Sequence, residues 1–229
     1  MNFKKIAAAL VVSATLAAGL FADNHPYGMD IAMGIVGFDG TKYNVDGVEY
    51  SHNVVNIFPL KINTYDCPWL NNHLGIYASV GFFPGVHGNA KIDGNKVKPT
   101  DAYADFAVEF MAGPCFGIDL GRSSVRFQVG VPFHVMAGAG YREVKVSGYT
   151  QKDSQTFSAW GFAITPQFRF MANRRCSLVV GTDVVFDFAY NRTIESEVNG
   201  VKASSAFHSS DALRFAFTPY VGLGINFGN

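Results

Sequence analysis

Apolar side chains occupy every second position over residues 213–227, the last long patterned stretch of the chain. The positions between them carry small or polar residues such as Arg214, Gly222 and Asn226. Alternation with a period of two predicts a β-strand with one apolar face. Strands of globular proteins usually have about five or six residues, so a strand of this length needs a special environment. A lipid bilayer is such an environment.

The same alternation recurs in seven earlier stretches of the chain. It predicts strands that begin near Tyr27, Val54, Leu74, Ala104, Val125, Trp160 and Leu178. Long polar segments and short turns alternate between these strands. The long segments are residues 39–52, 84–101, 142–156 and 191–210, and the short turns are residues 65–69, 121–124 and 172–176. A two-residue loop at the second turn predicts that Asp119 lies directly opposite Arg126.

An even number of strands joined alternately by long and short connections is typical of outer-membrane barrels. Closure is required as well, because a bilayer has no water to pair the backbone of an open sheet edge. The predicted fold is therefore all-β: an eight-stranded antiparallel up-and-down transmembrane β-barrel. It occupies residues 23–229.

A water-soluble barrel with its apolar face turned inward is the alternative fold. Its outer face would carry several lysines, yet Lys61 is the one lysine after residue 22 that falls in a predicted strand. Aromatic residues instead lie where strands meet the long segments, as in the girdle of a membrane barrel. These residues are Phe82, Trp160, Phe188, Tyr190 and Phe215. The membrane barrel is favoured.

The N-terminal residues have the layout of a secretory signal peptide. Lys4 and Lys5 precede an uncharged, apolar run that ends at Phe21, and small residues crowd its end. We expect residues 1–22 to be removed by cleavage near Ala22. Export followed by barrel insertion predicts the outer membrane of a diderm bacterium as the location.

Loss of Lys4 and Lys5 leaves 16 basic against 18 acidic residues, a net charge of about −2. This balance gives no reason to expect a nucleic-acid partner. Three cysteines, Cys67, Cys115 and Cys176, do not make a disulfide framework. They are interpreted as isolated apolar-type residues, with a Cys67 to Cys176 bridge as the alternative.

The mature sequence resembles the small outer-membrane barrels of the OmpA, OmpX and OmpW kind over its whole length. In that family the barrel-assembly machinery reads the last strand as polar-x-Gly-x-x-apolar-x-aromatic, and Tyr220, Gly222, Ile225 and Phe227 match this pattern. The two residues after Phe227 depart from it, since the aromatic is usually terminal. The resemblance implies outer-membrane lipid and the assembly machinery as partners.

Charged residues on the less apolar faces of the strands would point into the barrel. They are Asp30, Asp105, Glu109, Asp119, Arg126, Arg169, Asp183, Asp187 and Arg214. Eight strands leave room for side chains or one small ligand, so these charges must be paired or hydrated. One interpretation is a salt-bridged plug. The other is a narrow, charge-selective lumen left open by small inward residues, namely Ala32, Gly34, Gly75, Gly81, Gly130, Gly161, Gly222 and Gly224.

Four prolines, Pro114, Pro132, Pro166 and Pro219, lie inside predicted strands, where they remove ladder donors and predict bulges. Bulges could open the wall sideways, and the resemblance to the OmpW kind implies that small hydrophobic molecules pass by such a route. Local kinks without a transport role are the alternative.

The resulting functional hypothesis is a narrow, porin-like channel for small solutes, hydrophobic ones included. The alternative is a structural or adhesive surface protein with a plugged barrel and loops that bind a host ligand. A lipid-modifying barrel enzyme is the remote third class, because residues 208–211 contain His, Ser and Asp but as sequence neighbours that cannot face one another. We expect no enzyme activity, no cofactor, no metal site and a monomer.

Overall fold

The structure is a computed structural model that describes residues 27–34, 36–45, 48–92, 94–97, 104–121, 124–146, 149–173, 175–209 and 213–227. Thirteen β-strands account for nearly all of these residues. They are β1 (Tyr27–Gly34), β2 (Val36–Val45), β3 (Val48–Ile57), β4 (Leu60–Trp69), β5 (Leu74–Ile92), β6 (Asn95–Val97), β7 (Ala104–Asp119), β8 (Val125–Gly130), β9 (Phe133–Val146), β10 (Tyr149–Met171), β11 (Cys176–Val198), β12 (Val201–Ser209) and β13 (Leu213–Asn226). No helix in this part of the chain is long and apolar enough to cross a membrane. The predicted signal peptide lies outside the described residues.

Twelve of the thirteen strands form the eight staves of one antiparallel barrel, where a stave is one complete strand of the wall and four of the staves consist of two successive strands. β1 continues into β2, β3 into β4, β8 into β9 and β12 into β13, while β5, β7, β10 and β11 each make a stave alone. The short β6 pairs only with the far end of β5 among the described strands. The predicted eight-stranded antiparallel barrel is confirmed.

The first and last staves close the barrel. β1 pairs antiparallel with β13 from Gly28 opposite Asn226 to Gly34 opposite Tyr220, and β2 continues the pairing along β13 as far as Leu213. The expected closure of the last strand against the one that begins near Tyr27 is thus present. Closure removes the sheet edge that a bilayer could not satisfy.

The apolar face of each stave points outward. In β13, exposed and buried side chains alternate without a break, with Leu223 at 72% exposure and Arg214 at 3%. Aromatic rings meet on the outer surface, where Trp160 lies 4.7 Å from Phe188 between ring centroids. An apolar exterior around a polar interior is the arrangement of a lipid-exposed barrel rather than a soluble one.

Tyr190 does not belong to the outer aromatic girdle, and its predicted position is wrong. The pairing of β10 with β11 shifts register between Trp160 and Gly161, and Phe188 is left without a partner opposite. A bulge of one residue reverses the faces of all later positions. Tyr190 therefore points inward and is only 3% exposed.

The four long polar segments are strands for most of their length, not loops. β10 and β11 each span 23 residues and pair up to Val198, and β2 and β3 pair up to Val45 opposite Val48. A membrane needs only about 9–11 residues per tilted strand, so these hairpins project well beyond the bilayer. Apolar alternation stops where lipid ends, but backbone pairing continues because polar side chains in water are compatible with a sheet.

The short turns lie at the opposite end of the barrel. The first predicted turn is misplaced, because β4 continues to Trp69 and the chain reverses at Leu70, Asn71 and Asn72, all with positive φ. The second turn places Asp119 opposite Arg126, as predicted. In the third, the side-chain oxygen of Asn173 accepts hydrogen bonds from the amides of Arg175 and Cys176.

Some interruptions of the staves lie at or beside prolines, whereas Pro114 and Pro219 lie inside the unbroken strands β7 and β13. β8 and β9 are separated by Val131 and Pro132, and the pairing of β10 with β11 skips Pro166. Pro59 follows Phe58, whose φ is 51°, at the break between β3 and β4. A proline lacks the amide hydrogen that a ladder needs, so interruptions at these positions are expected.

Candidate functional site

A chain of seven ionisable side chains crosses the barrel lumen. The ammonium of Lys61 contacts the carboxylate of Asp183 and lies 3.8 Å from Glu109. Glu109 Oε2 lies 3.0 Å from His134 Nε2, and His134 Nδ1 lies 2.6 Å from Asp187 Oδ1. The seven members come from six staves, and all of them are fully buried except Asp39, which is the last member of the series.

Arg214 carries the network on to the first stave. Its guanidinium donates to Asp187 Oδ2 at 2.5 Å and to Asp39 Oδ2 at 2.7 Å. We call the whole set the His134 chain: Asp183, Lys61, Glu109, His134, Asp187, Arg214 and Asp39. The contacts of Lys61 with Asp183 and Glu109, and of His134 with Asp187, join staves that are not neighbours in the wall, so the chain crosses the lumen rather than only lining it.

His134 is the central link, since each ring nitrogen faces a carboxylate oxygen. Carboxylates only accept hydrogen bonds, so both nitrogens must be donors, which is the imidazolium form. The chain then holds three cations against four carboxylates. This charge imbalance would be costly in a dry interior and calls for water near the carboxylates.

An apolar cap covers the His134 chain on the side of the long hairpins. Phe83, Ala107 and Met136 form one buried cluster, and the ring of Phe157 packs against it. Phe157 also stacks on Tyr190 with ring centroids 6.1 Å apart. The bulge at Phe188, which turns Tyr190 inward, thus supplies one member of this cap.

A second ionic group lies toward the short turns. The guanidinium of Arg169 donates to both oxygens of Asp30, at 2.7 and 2.6 Å, and to Ser177 Oγ at 2.7 Å. Asn226 Oδ1 accepts from it at 3.3 Å, and the Tyr65 ring lies 4.2 Å from the guanidinium carbon. We call these five residues the Arg169 cluster.

Gly224 makes room for the Arg169 cluster. A Cβ at this position would collide with Arg169 Nη1, Asp30 Oδ1 and Ser177 Oγ. Other inward glycines are filled in the same way: Tyr77 and Thr165 occupy the space over Gly130, and Phe83 that over Gly81. The space over Gly224, Gly130 and Gly81 is therefore occupied by side chains from elsewhere in the barrel rather than left open.

Neutral polar side chains fill the layer between the two ionic groups. Gln167 donates to Gln128 Oε1 at 2.8 Å and accepts from the Tyr220 hydroxyl at 3.0 Å. Several buried polar atoms in this layer have no hydrogen-bond partner in the described part of the protein. They are Asn63 Nδ2, Gln128 Nε2, Thr165 Oγ1 and Asp183 Oδ1. Unpaired buried polar atoms at a roomy site are typical of internal hydration.

Most of the predicted interior charges lie inside the barrel. Buried side chains are Asp30, Glu109, Arg126, Arg169, Asp183, Asp187 and Arg214. Asp119 is not in the lumen, because it sits at the short-turn rim with its side chain 65% exposed and its Oδ1 3.0 Å from Arg126 Nη1. The side chain of Asp105 lies outside the described residues.

The four residues of the predicted assembly signal divide between the two faces of β13. Tyr220 and Gly222 point into the barrel, where Gly222 lies against Ala32. Ile225 and Phe227 are exposed on the outside. Recognition of this pattern by the assembly machinery stays a prediction.

Three members of the His134 chain were missed from the sequence. Lys61 and His134 each stand between two outward apolar residues, so the period-two alternation itself could have identified them. Asp39 could not be found in this way, because the outward positions are odd-numbered up to Met33 and even-numbered from Phe38. Between Met33 and Phe38, therefore, the inward and outward faces of the first stave switch from one set of alternate positions to the other.

Two of the three cysteines are not isolated, and they are not the two of the alternative raised above. The side chain of Cys67 is buried in the lumen with its sulfur 3.6 Å from that of Cys115, whereas Cys176 is exposed beside the third turn. A Cys67 to Cys176 bridge is therefore wrong. Among the described residues no group of His, Cys, Asp and Glu side chains could hold a metal ion.

The fold is similar to that of solved outer-membrane proteins. A major outer membrane protein from Thermus thermophilus superposes with a TM-score of 0.57 at 14% identity, over 87% of this chain and 99% of that one. AlkL has a TM-score of 0.39 at 15% identity over 91% and 92% of the two chains. For Neisserial surface protein A the TM-score is 0.38 at 11% identity over 88% and 97%. No family model and no curated protein sequence matches the chain.

The closed eight-stave barrel, its apolar exterior and its polar interior define the class: this is an outer-membrane β-barrel protein. Within that class it has the architecture of the small eight-stranded barrels, as the sequence resemblance implies. The likeness to the Thermus protein is one of fold, at an identity too low to carry an activity across.

Proposed function

We propose that this protein is a closed outer-membrane barrel whose long hairpins act at the cell surface in binding or in a structural role. The observation that carries the proposal is the continuous His134 chain across the lumen beneath the apolar cap. Solutes would have to displace paired charges and a packed aromatic cluster, both of which are costly. A barrel filled in this way is suited to serve as a rigid anchor.

The projecting hairpins supply the surface for binding. β10, β11 and β12 extend past the membrane as one paired sheet, and the exposed side chains of Glu195, Lys202 and Ser204 show no single charge sign. β12 pairs with β11 along one edge, and no described strand pairs with its other edge. Free strand edges take up extended peptide segments, which makes a protein partner the favoured ligand class.

Conductance tests whether the barrel is closed. Purified protein in planar bilayers should give no single-channel steps, whereas Asp187→Asn and Arg214→Gln, which remove links of the His134 chain, should give measurable conductance. Val180→Ala changes only the lipid face and serves as the matched control. Stable conductance steps from the unaltered protein would overturn the proposal.

Hairpin transfer tests the binding role. The four hairpins grafted onto an inert eight-stranded barrel should confer adhesion of cells to host-cell or matrix-coated surfaces. Grafts with scrambled sequences of the same composition are the control. Equal adhesion by true and scrambled grafts would leave the barrel with a structural role only.

Passage of small solutes is the second candidate, and two observations favour it. The unpaired polar atoms in the middle layer are suited to a narrow hydrated path. In addition, a cavity of about 470 Å³ lies at the wall where β2, β3, β11 and β13 meet. Its lining includes the exposed side chains of Phe186, Leu213 and Phe215, which suits a small hydrophobic solute; Asp187 and Arg214 also line it, but their side chains are buried.

Uptake into proteoliposomes separates this candidate from the first. A naphthylamine dye should enter faster with the protein than without it, and Ser51→Trp, which fills the cavity, should abolish the difference. Val221→Trp on the outer face away from the cavity should leave uptake unchanged. Uptake equal to that of protein-free vesicles would exclude the passage.

A further inference from the structure

Two cysteines face each other inside the barrel near the short turns. Cys67 lies on β4 and Cys115 on β7, and their sulfur atoms are 3.6 Å apart. These strands are not neighbours, because β5 runs between them and pairs with both. The two thiols therefore meet across the inner surface of β5.

The backbone is shaped to bring Cys67 over β5. The pairing of β4 with β5 breaks register between Asp66 and Trp69, so Cys67 leaves the ladder at this point. Gly75 lies beneath it, directly opposite Cys115 in the β5 to β7 pairing. A Cβ at Gly75 would collide with the Asp66 carbonyl oxygen and with Cys67 Cα, so only glycine allows this close approach.

The surroundings select a single pairing. Cys67 and Cys115 are buried in a cluster with Tyr65, Tyr77 and Met111. Cys176 is exposed on the outside of the barrel and is therefore separated from both by the wall. A disulfide sulfur–sulfur bond is about 2.0 Å long, so small side-chain rotations would bring the facing pair into bonding distance.

We propose that Cys67 and Cys115 are joined by a disulfide formed during export. The oxidant is a protein disulfide donor of the oxidising periplasm, through which an outer-membrane protein must pass. One thiolate attacks the donor disulfide and the second thiolate then displaces the donor. The sulfur–sulfur bond forms with loss of two protons and two electrons from the cysteines, and the donor is left as a dithiol. The reaction precedes barrel closure, because closure buries both sulfurs.

The bond ties the second stave to the fourth across the third. It links residues 48 positions apart and so restricts the unfolded chain. The proposal is independent of the function assigned to the lumen or the hairpins, because it depends only on export and on the inner wall.

Alkylation followed by mass measurement provides the test. Protein taken from outer membranes, unfolded in urea without reductant and treated with a maleimide, should carry one adduct, on Cys176, and three after reduction. Peptide mapping should recover a peptide with Cys67 joined to Cys115. Three adducts before reduction, or a bridge that includes Cys176, would overturn the proposal.

Single variants keep the test decisive even where folding is impaired, because trapping can be done on whole cells. Cys176→Ser should show no adduct before reduction and two after it. Cys115→Ser should show two adducts before reduction. Reduction should lower the urea midpoint of the unaltered barrel and leave that of a Cys67→Ser, Cys115→Ser double variant unchanged; a midpoint insensitive to reductant in both would count against the bond.

Discussion

The Arg169 cluster and the His134 chain are both buried ionic groups, but they are built in opposite ways. In the Arg169 cluster one guanidinium holds both oxygens of one carboxylate and also donates to the neutral Ser177 and Asn226, while its Nε has no hydrogen-bond partner among the described residues. In the His134 chain four carboxylates share three cations, and Asp183 Oδ1 has no partner among the described residues. The first group is balanced in charge, whereas the second is unbalanced; both join staves that are not neighbours in the wall.

This difference separates a charge-balanced ion pair from a chain of charges whose links can re-pair. A balanced bidentate pair has no alternative partner nearby, so loss of one member leaves a bare buried charge. A chain of alternating charges can re-pair around a missing link, with water supplying what remains. We therefore expect the Arg169 cluster to contribute strongly to the stability of the barrel. We expect the His134 chain to act as a plug that a single substitution weakens.

Removal of Arg169 should have the largest effect. Arg169→Ala leaves the Asp30 carboxylate buried without a cation, and we expect a loss of about 3–5 kcal/mol in the free energy of unfolding. Urea unfolding in detergent micelles, followed by heat-modifiable migration on gels, measures the loss. Arg169→Lys keeps the positive charge but cannot donate to both oxygens of Asp30 in the same planar geometry, so it should lose less stability than Arg169→Ala. Equal stability of Arg169→Ala and the unaltered protein would contradict the stabilising role of the Arg169 cluster.

Removal of Lys61 should cost less, although it is as deeply buried. Lys61→Met leaves Asp183 without its cation, but His134 still faces Glu109, and we expect a loss of about 1–3 kcal/mol. The same variant should raise conductance in planar bilayers, since the plug loses a link. Lys61→Arg is the matched control. A loss as large as that of Arg169→Ala would show that the two ionic groups do not differ.

Removal of a side chain from the apolar cap should lower the stability of the barrel by a smaller amount. Phe157→Ala removes a half-buried ring from Met136 and Tyr190, and we expect a loss of about 1–2 kcal/mol, below the roughly 3–5 kcal/mol of a fully buried phenylalanine. Combined with Asp187→Asn it should raise conductance beyond either change alone. Phe157→Leu should behave nearly as the unaltered protein. Simple additivity of the two conductances would indicate that cap and chain do not act in series.

Trimming a hairpin should have the smallest effect. Replacing residues 193–206 by a short turn removes neither ionic group, so the free energy of unfolding should change by no more than about 0.5 kcal/mol. Adhesion should fall if this hairpin carries the binding surface. A large destabilisation would mean that the projecting strands help to hold the barrel.

The staves and their faces were predictable wherever lipid lies outside. The outward phenylalanines of β10 and the unbroken alternation of β13 follow from the requirement that one face be apolar and the other not. The nine candidate charges came from the same rule, and most of them lie in the interior. The same rule places Lys61 and His134 in the interior, although each is a single polar residue among apolar neighbours.

The predictions were wrong where no lipid requires apolar and polar residues to alternate. No lipid lies against the outer face of the long hairpins, so their exposed side chains are polar like the buried Asp153 and Gln155 of the inner face. Without apolar alternation the paired backbone could not be recognised. Tyr190 was misassigned because a one-residue bulge leaves no mark in the sequence. The first turn was placed too early because Asp66 and Pro68 resemble turn residues, whereas Asn71 and Asn72 make the turn.

The sequence by itself determined that eight amphipathic strands surround a polar interior, because contact with lipid imposes period two on every strand that crosses it. Only the tertiary structure decided which interior groups meet. Arg169 finds Asp30 139 positions away, and Lys61 finds Asp183 122 positions away, because barrel closure sets the stagger of all eight staves together. That stagger depends on all the bulges and turns together, so it cannot be read from the alternation of apolar and polar residues within any one strand.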